Sequence, residues 1–217
     1  MEEQLKATSR VAGHVPNVPN VPNAPKVDLP AAARAIEAFL TALGHPPDSD
    51  PQLRDTGRMV ARAFHEEFLC GYAADPAALL ADSIASTGGD LVVVRELSIT
   101  CMCPHHLVPA TGVVHLGYLP SDRIVGFGAL ERLAQALSRR LILQEALCEQ
   151  IAEALVHGLG ARGAGCIAEL QPACLTARGK RPTHAKVVTA ALSGALRDDA
   201  DLRREFYALA QRPEIRP

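Results

Sequence analysis

The strongest constraint on this chain is one stretch, Cys101-Met-Cys-Pro-His-His-Leu-Val-Pro109. Cys103 and His106 stand three residues apart, with a second imidazole, His105, beside them. A thiolate and an imidazole at that spacing can grip one zinc ion from a single turn. Two ligands are too few, so a third has to arrive from elsewhere in the chain. The best candidate is Cys174, in Pro172-Ala-Cys-Leu-Thr-Ala-Arg-Gly179. A Cys/His/Cys set leaves the fourth position open for water, which is the arrangement of a catalytic site. Spacing alone leaves a plain alternative open: a buried free cysteine beside two ordinary histidines.

Hydrophobic periodicity supplies the elements around that stretch. Residues 1–27 read as a disordered arm. Val15-Pro-Asn, Val18-Pro-Asn and Val21-Pro-Asn are tandem triplets, followed by Ala24-Pro-Lys. Proline at every third position blocks helix and sheet and favours extended polyproline geometry, suited to a spacer or to a docking segment. A helix starts at Leu29 with Pro30 in its first turn, presents Ile36, Phe39, Leu40 and Leu43, and stops at Gly44. A second is predicted from Asp48-Ser-Asp-Pro51 through Leu53, Val60, Phe64 and Leu69 to Gly71. Asp75-Pro76 opens a short helix to about Ala85, and Gly88-Gly89 breaks the chain.

The β-branched run Leu91-Val-Val-Val94 marks a first strand over residues 90–100, which delivers Cys103 and His106 at its end. A second strand covers residues 112–119. Two helices follow, over residues 130–140 (Leu130, Leu133, Leu137) and 144–159 (Leu147, Ile151, Leu155). A third strand, 165–170, leads to Cys174, and a fourth, 186–192, precedes a last helix over 199–211. His106 and Cys174 meet if the first and third strands lie together. The order β-β-α-α-β-β argues an α+β fold, an antiparallel sheet with helices on one face, preceded by an N-terminal helical region. We divide the chain into the arm (1–27), the helical region (28–87) and a catalytic domain (88–217).

Composition narrows the function classes. At 217 residues the chain suits one domain with an extra arm, and 48% hydrophobic residues are enough for a sizeable core. With Trp absent and aromatics at 4%, that core is built of Ala, Leu and Val. A net charge of -2 gives no bulk reason to expect nucleic acid or a membrane surface as partner. There is no apolar run of membrane-spanning length and no secretory leader pattern at the N-terminus, so a cytoplasmic location is expected. The six cysteines then read as thiols or ligands rather than a disulfide framework. Cys70, Cys148 and Cys166 lie in apolar patterns and are expected in the core.

Several separated blocks together carry a resemblance. Cys103-Pro-His-His-Leu-Val-Pro, His115-Leu-Gly-Tyr-Leu-Pro120, Ser138-Arg-Arg-Leu-Ile-Leu-Gln-Glu145, Cys174 and Ala177-Arg-Gly179 resemble GTP cyclohydrolase I, in order and at matching distances, from about Leu53 to about Leu209. The resemblance implies the tunnelling fold, whose sheets join into barrels, and a homo-oligomer that is a decamer. It implies a zinc site at Cys103, His106 and Cys174 that activates water against C8 of guanine. Formate leaves, and the product recloses as dihydroneopterin triphosphate. His105 maps to a catalytic histidine, able to move protons near neutrality. Gln144 and Glu145 map to the pair that reads the guanine edge, where a carboxylate accepts from ring N–H and exocyclic amine. Arg178, with Arg132 and Arg139, falls at arginine positions suited to a triphosphate, and Lys180 follows closely.

The departures share a direction. Pro104 stands where the family carries an acid, and Pro172 where it carries a second catalytic histidine. Gly128 and Ala129 replace a serine and a lysine of the phosphate pocket. Thr56-Gly-Arg-Met59 displaces an arginine by one position, leaving Met59 there and turning Arg58 by about 100° on a helix. Cys101 adds a thiol where serine is usual. Losses on the phosphate side suggest a less phosphorylated or different purine-like substrate, unless Lys180, Arg181, His184 or Lys186 compensates. A non-catalytic purine- or pterin-binding regulator is the reading from another class.

Overall fold

The structure, a computed structural model, describes residues 26–178 and 184–211. The Val-Pro-Asn triplets, Lys180 and Arg181 lie outside the described residues.

Helix α1 (Leu29–Ala42) begins as its sequence dictates. Asp28 accepts from the backbone N–H of Ala31, and Pro30 occupies the first turn. The second predicted helix starts later than its apolar pattern suggested. Pro47–Ser49 forms a single 3₁₀ turn, turns follow, and α2 spans only Thr56–Ala63. Short polar side chains explain the delay: Ser49 donates to the Pro46 carbonyl and Asp50 accepts from the Gln52 N–H, giving the backbone local partners other than a helix. Beyond α2 the chain widens into a π turn (Phe64–Phe68) and tightens into a 3₁₀ turn (Cys70–Ala73). Helix α3 (Pro76–Leu80), capped by Asp75, stops short of the predicted Ala85. Residues there form β1 (Ser83–Ala85) instead, because a partner strand far along the chain is available.

Four long strands build the main sheet: β2 (Val92–Met102), β3 (Pro109–Leu119), β5 (Gly163–Pro172) and β6 (Val187–Gly194), in the order β2-β3-β5-β6, all antiparallel. Between β3 and β5 come β4 (Arg123–Val125), which pairs with β1, and two long helices, α4 (Phe127–Ser138) and α5 (Gln144–Gly158). A one-turn helix, α6 (Ala173–Thr176), follows β5. The chain closes with α7 (Ala195–Asp198) and α8 (Ala200–Ala210), the latter capped by Asp199.

Helices α4 and α5 cover one face of the sheet, with α4 over β2 and α5 over β5 and β6. Leu130, Leu133 and Leu137 of α4 and Leu147, Ile151 and Leu155 of α5 are fully buried against Leu116, Tyr118, Cys166 and Leu170. Each such side chain contributes about 1.5–3 kcal/mol of apolar transfer. The two long helices share one face, as expected, and the last helix lies on the opposite one. Phe206 packs over Gly117 and Gly165, beside Leu119 and Ile167. A Cβ at Gly165 would stand 2.8 Å from the Phe206 ring, so the missing side chain is what admits the aromatic.

A bulge in β2 decides which residues face the core. The β2–β3 register slips between Val94 and Leu97, with Glu96 at φ 60. Val92 and Val94 lie on the core side before the slip; Leu97, Ile99 and Cys101 lie there after it. No helix among the described residues is long and apolar enough to cross a membrane.

Candidate metal site and substrate cleft

The first and third long strands do not lie side by side, as the sequence argument required, because β3 runs between them. Both are antiparallel to β3, so they run parallel to each other and end at the same edge of the sheet. Met102 pairs with Pro109 and Ala110 with Pro172, which places the chain just before Cys103 and just before Cys174 on either side of the start of β3.

The ligand loop is tied by its own backbone. Cys103 donates its N–H to the Val108 carbonyl at 3.0 Å, and Leu107 donates to the Cys103 carbonyl at 2.9 Å. Closing so short a loop puts Leu107 at φ 52, a left-handed conformation that costs a side-chain-bearing residue about 1–3 kcal/mol. On the other side, Ala177 donates to Ala173 and Thr176 Oγ1 to the Pro172 carbonyl, winding the single turn that presents Cys174.

The ligating atoms of Cys103, His106 and Cys174 all lie within 4.8 Å of one another. Cys103 Sγ and His106 Nδ1 are 3.8 Å apart. Tetrahedral zinc with ordinary Zn–S and Zn–N bonds separates such a pair by about 3.6 Å, so the type and proximity of these donors fit the ion. Burial, and then the neighbouring Cys103, push the Cys101 thiol up to about 11. Cys101 lies buried in the cleft wall, outside the group of donor atoms formed by Cys103, His106 and Cys174.

An open cleft of about 220 Å³ lies over this triad. His105, Gln144 and Glu145 line it with the three ligands, between apolar walls that include Ala110, Leu143, Pro172 and Val187. The His105 and His106 rings stand nearly perpendicular, with centroids 6.2 Å apart; His106 faces Cys103 and His105 lines the cleft. Gln144 and Glu145 open α5. Gln144 Nε2 donates to the carbonyls of Ala168 (3.0 Å) and Val187 (2.8 Å), so its amide donor is spent pinning α5 to the sheet. Glu145 is the exposed carboxylate of the pair.

Among the described residues, none of the cationic candidates lines this cleft. Arg139 donates to the Glu67 carbonyl at 2.5 Å and to Gln135 at 3.3 Å. Arg132 is exposed on α4, and Arg178 is exposed in the bend after α6. Arg58 pairs with Asp55. Among the possible substitutes, Lys186 is held by Glu169 at 2.8 Å and His184 is exposed outside the cleft lining. The spare thiols divide as well. Cys148 and Cys166 are buried as expected, but Cys70 is exposed in the turn after the π segment.

Sequence reasoning overlooked Arg140, which is 3% exposed although its neighbour Arg139 looked equivalent. Only the position of the helix end separates the two: α4 stops at Ser138, and the chain then turns one arginine outward and one inward.

The sequence profile of a family described as GTP cyclohydrolase I matches residues 32–211. GTP cyclohydrolase 1 of Corynebacterium glutamicum (strain R) is 39% identical over 180 residues, covering 82% of this chain and 91% of that protein. The protein of the same name from Rhodopirellula baltica is 37% identical over 187 residues (86% and 81%), and that from Thermobifida fusca 38% over 185 (84% and 88%). With a matching profile over most of its length and relatives above a third identical, the chain belongs to the GTP cyclohydrolase I family.

Proposed function

We propose that this protein is a zinc-dependent GTP cyclohydrolase. It opens the guanine imidazole ring at C8, releases formate and forms 7,8-dihydroneopterin triphosphate, as a homo-oligomer in the cytoplasm. One observation carries the reading: the Cys103–His106–Cys174 triad, His105 and Glu145 line the same cleft. Residues 88–217 form the catalytic domain in this reading, and residues 28–87 the helical region before it.

Cys103, His106 and Cys174 would hold the ion. Bound there, zinc supplies a Lewis acid that brings water to a reactive state near neutral pH. The chain's own groups do the rest. Glu145 accepts from the ring N–H and exocyclic amine of guanine, a donor pair adenine lacks, and so fixes the base in one orientation. His105, beside the ligand His106, gives a proton to the departing ring nitrogen and takes one from the attacking water. Ala110, Leu143, Pro172 and Val187 supply the apolar walls that flank both interactions. Arg178, Arg132, Arg139 and Lys180 remain the candidates for the triphosphate. Formate release from GTP by the zinc-loaded protein tests the reading, and formate with a fluorescent pterin after oxidation is the expected result. Zinc bound in stoichiometric amount with no formate from any purine would sink it.

A second reading has its own observation. No lysine or arginine lines the cleft among the described residues, and Pro172 stands beside Cys174. Each lost charge-assisted phosphate contact weakens binding by about 1.5–3 kcal/mol. A less phosphorylated guanine-like substrate is therefore the alternative. Assays of GMP, guanosine and guanine beside GTP separate the two.

A further inference from the structure

Among the described residues Arg140 is the one buried arginine, and its side chain is spent on the turn at residues 70–74. Its Nε donates to the Gly71 carbonyl at 3.1 Å, its Nη2 to the Ala74 carbonyl at 3.3 Å, and its guanidinium lies 5.7 Å from the centre of the Tyr72 ring. A buried cation matched by carbonyls and an aromatic face, with no carboxylate, holds backbone rather than charge.

The backbone it holds is a junction. On one side is the turn at residues 70–74. Gly71 donates its N–H to the Arg139 carbonyl at 3.0 Å, and Tyr72 Oη accepts from the Leu141 N–H at 3.3 Å. A Cβ at Gly71 would stand 2.0 Å from the Ala136 carbonyl oxygen, so glycine is what lets the turn lie flat on the end of α4. On the other side, residues 140–142 run along the end of β2. Met102 donates to the Arg140 carbonyl at 3.4 Å, and Ile142 donates to the Met102 carbonyl at 3.2 Å. Met102 precedes the ligand Cys103, and Ile142 precedes Leu143, Gln144 and Glu145 in the cleft wall.

We propose that Arg140 is a positioning residue for the site. By clamping the 70–74 turn against residues 139–142, it fixes Cys103 and Glu145 relative to each other. The inference rests on the reading of Cys103, His106 and Cys174 as metal ligands. The clamped segment continues into Gln144 and Glu145 and hydrogen-bonds Met102 beside Cys103, so loss of the clamp loosens ligand and base-reading carboxylate together.

Cobalt(II) loading of the full chain tests this without substrate. The visible bands of bound cobalt report ligand geometry, and competition with a chromophoric chelator reports affinity. Arg140→Met is expected to shift the bands and weaken cobalt binding about tenfold, the range seen when groups supporting metal ligands are removed. Arg140→Lys, which keeps one donor to the carbonyls, is expected to recover part of both. A folded Arg140→Met protein with unchanged bands and affinity overturns the proposal. Should Arg140→Met fail to fold, Tyr72→Phe removes only the hydroxyl at Leu141 and is expected to shift the bands in the same direction; unchanged bands there overturn it equally. If the unaltered chain binds no cobalt, the metal reading fails by itself. Amide exchange at Met102, Cys103 and Ile142 then judges the clamp, expected to speed locally in Tyr72→Phe, with unchanged exchange overturning it.

Discussion

Helices α1 and α5 carry the same kind of apolar stripe and meet opposite fates. Leu147, Ile151 and Leu155 of α5 are fully buried against the sheet. No residue of α1 is buried, and Phe39 and Leu43 are 60% and 59% exposed. An amphipathic pattern states that a face wants cover; it does not say what covers it. In the body of the fold, cover comes from strands of the same chain. At α1, the described residues supply chiefly α2, itself showing Met59 to solvent, with the 3₁₀ turn Pro47–Ser49 beside it.

The largest effect expected lies in the covered region. Cys174→Ala removes a ligand carried by a one-turn helix, so formate release should fall by at least about 10³-fold, with the melting temperature little changed. A comparable fall in stability would mean that the site end of the sheet depends on the ion for folding. Leu137→Ala in α4 should cost about 2–5 kcal/mol by urea unfolding. Phe39→Ala in α1 should cost under about 0.5 kcal/mol in the dilute chain. If the two losses prove alike, α1 is covered in solution and the contrast breaks.

Glu145→Gln sharpens the contrast at the junction of core and cleft. It should lower kcat/KM for guanine substrates about 10- to 100-fold and leave unfolding unchanged, because the carboxylate is exposed while Gln144 does the pinning. The smallest effect concerns His115, on the face away from α4 and α5. Burial holds its imidazole below the usual range against the pull of Glu169 and Glu96, and Nδ1 has no partner. The unfolded chain therefore takes up the proton first. This contribution to stability is complete above about pH 6.5 and declines as pH falls toward the folded value. His115→Asn should flatten that slope in urea midpoints taken between about pH 7.5 and 5.5; an unaltered slope would show that His115 does not set it.

The Cys103/His106 pair, the helices α4 and α5 and the four long strands were legible because local chemistry specifies them, while the family resemblance carried the choice of Cys174. Cys103 and His106 sit within one turn, leucines recur at helical spacing, and Val92, Val93 and Val94 are β-branched in a row. Composition blocks matching a known family carried the rest of the site. What stayed hidden depends on partners distant in sequence. Residues 83–85 carry no strong strand pattern and become a strand because residues 123–125 lie beside them. The register slip at Glu96 reverses the side-chain parity of β2, and so decides that Cys101 faces the core. Arg139 and Arg140 are adjacent and alike in sequence; which one is buried follows from where α4 ends and the 70–74 turn docks. The sequence alone determined which ligand-type side chains the chain offers and the elements that deliver them, because residue type and periodicity are properties of short segments. The tertiary structure alone decided that β3 separates the two ligand-bearing strands yet brings their ends together. It alone placed α8 on the far face, since those relations exist only once the strands have paired.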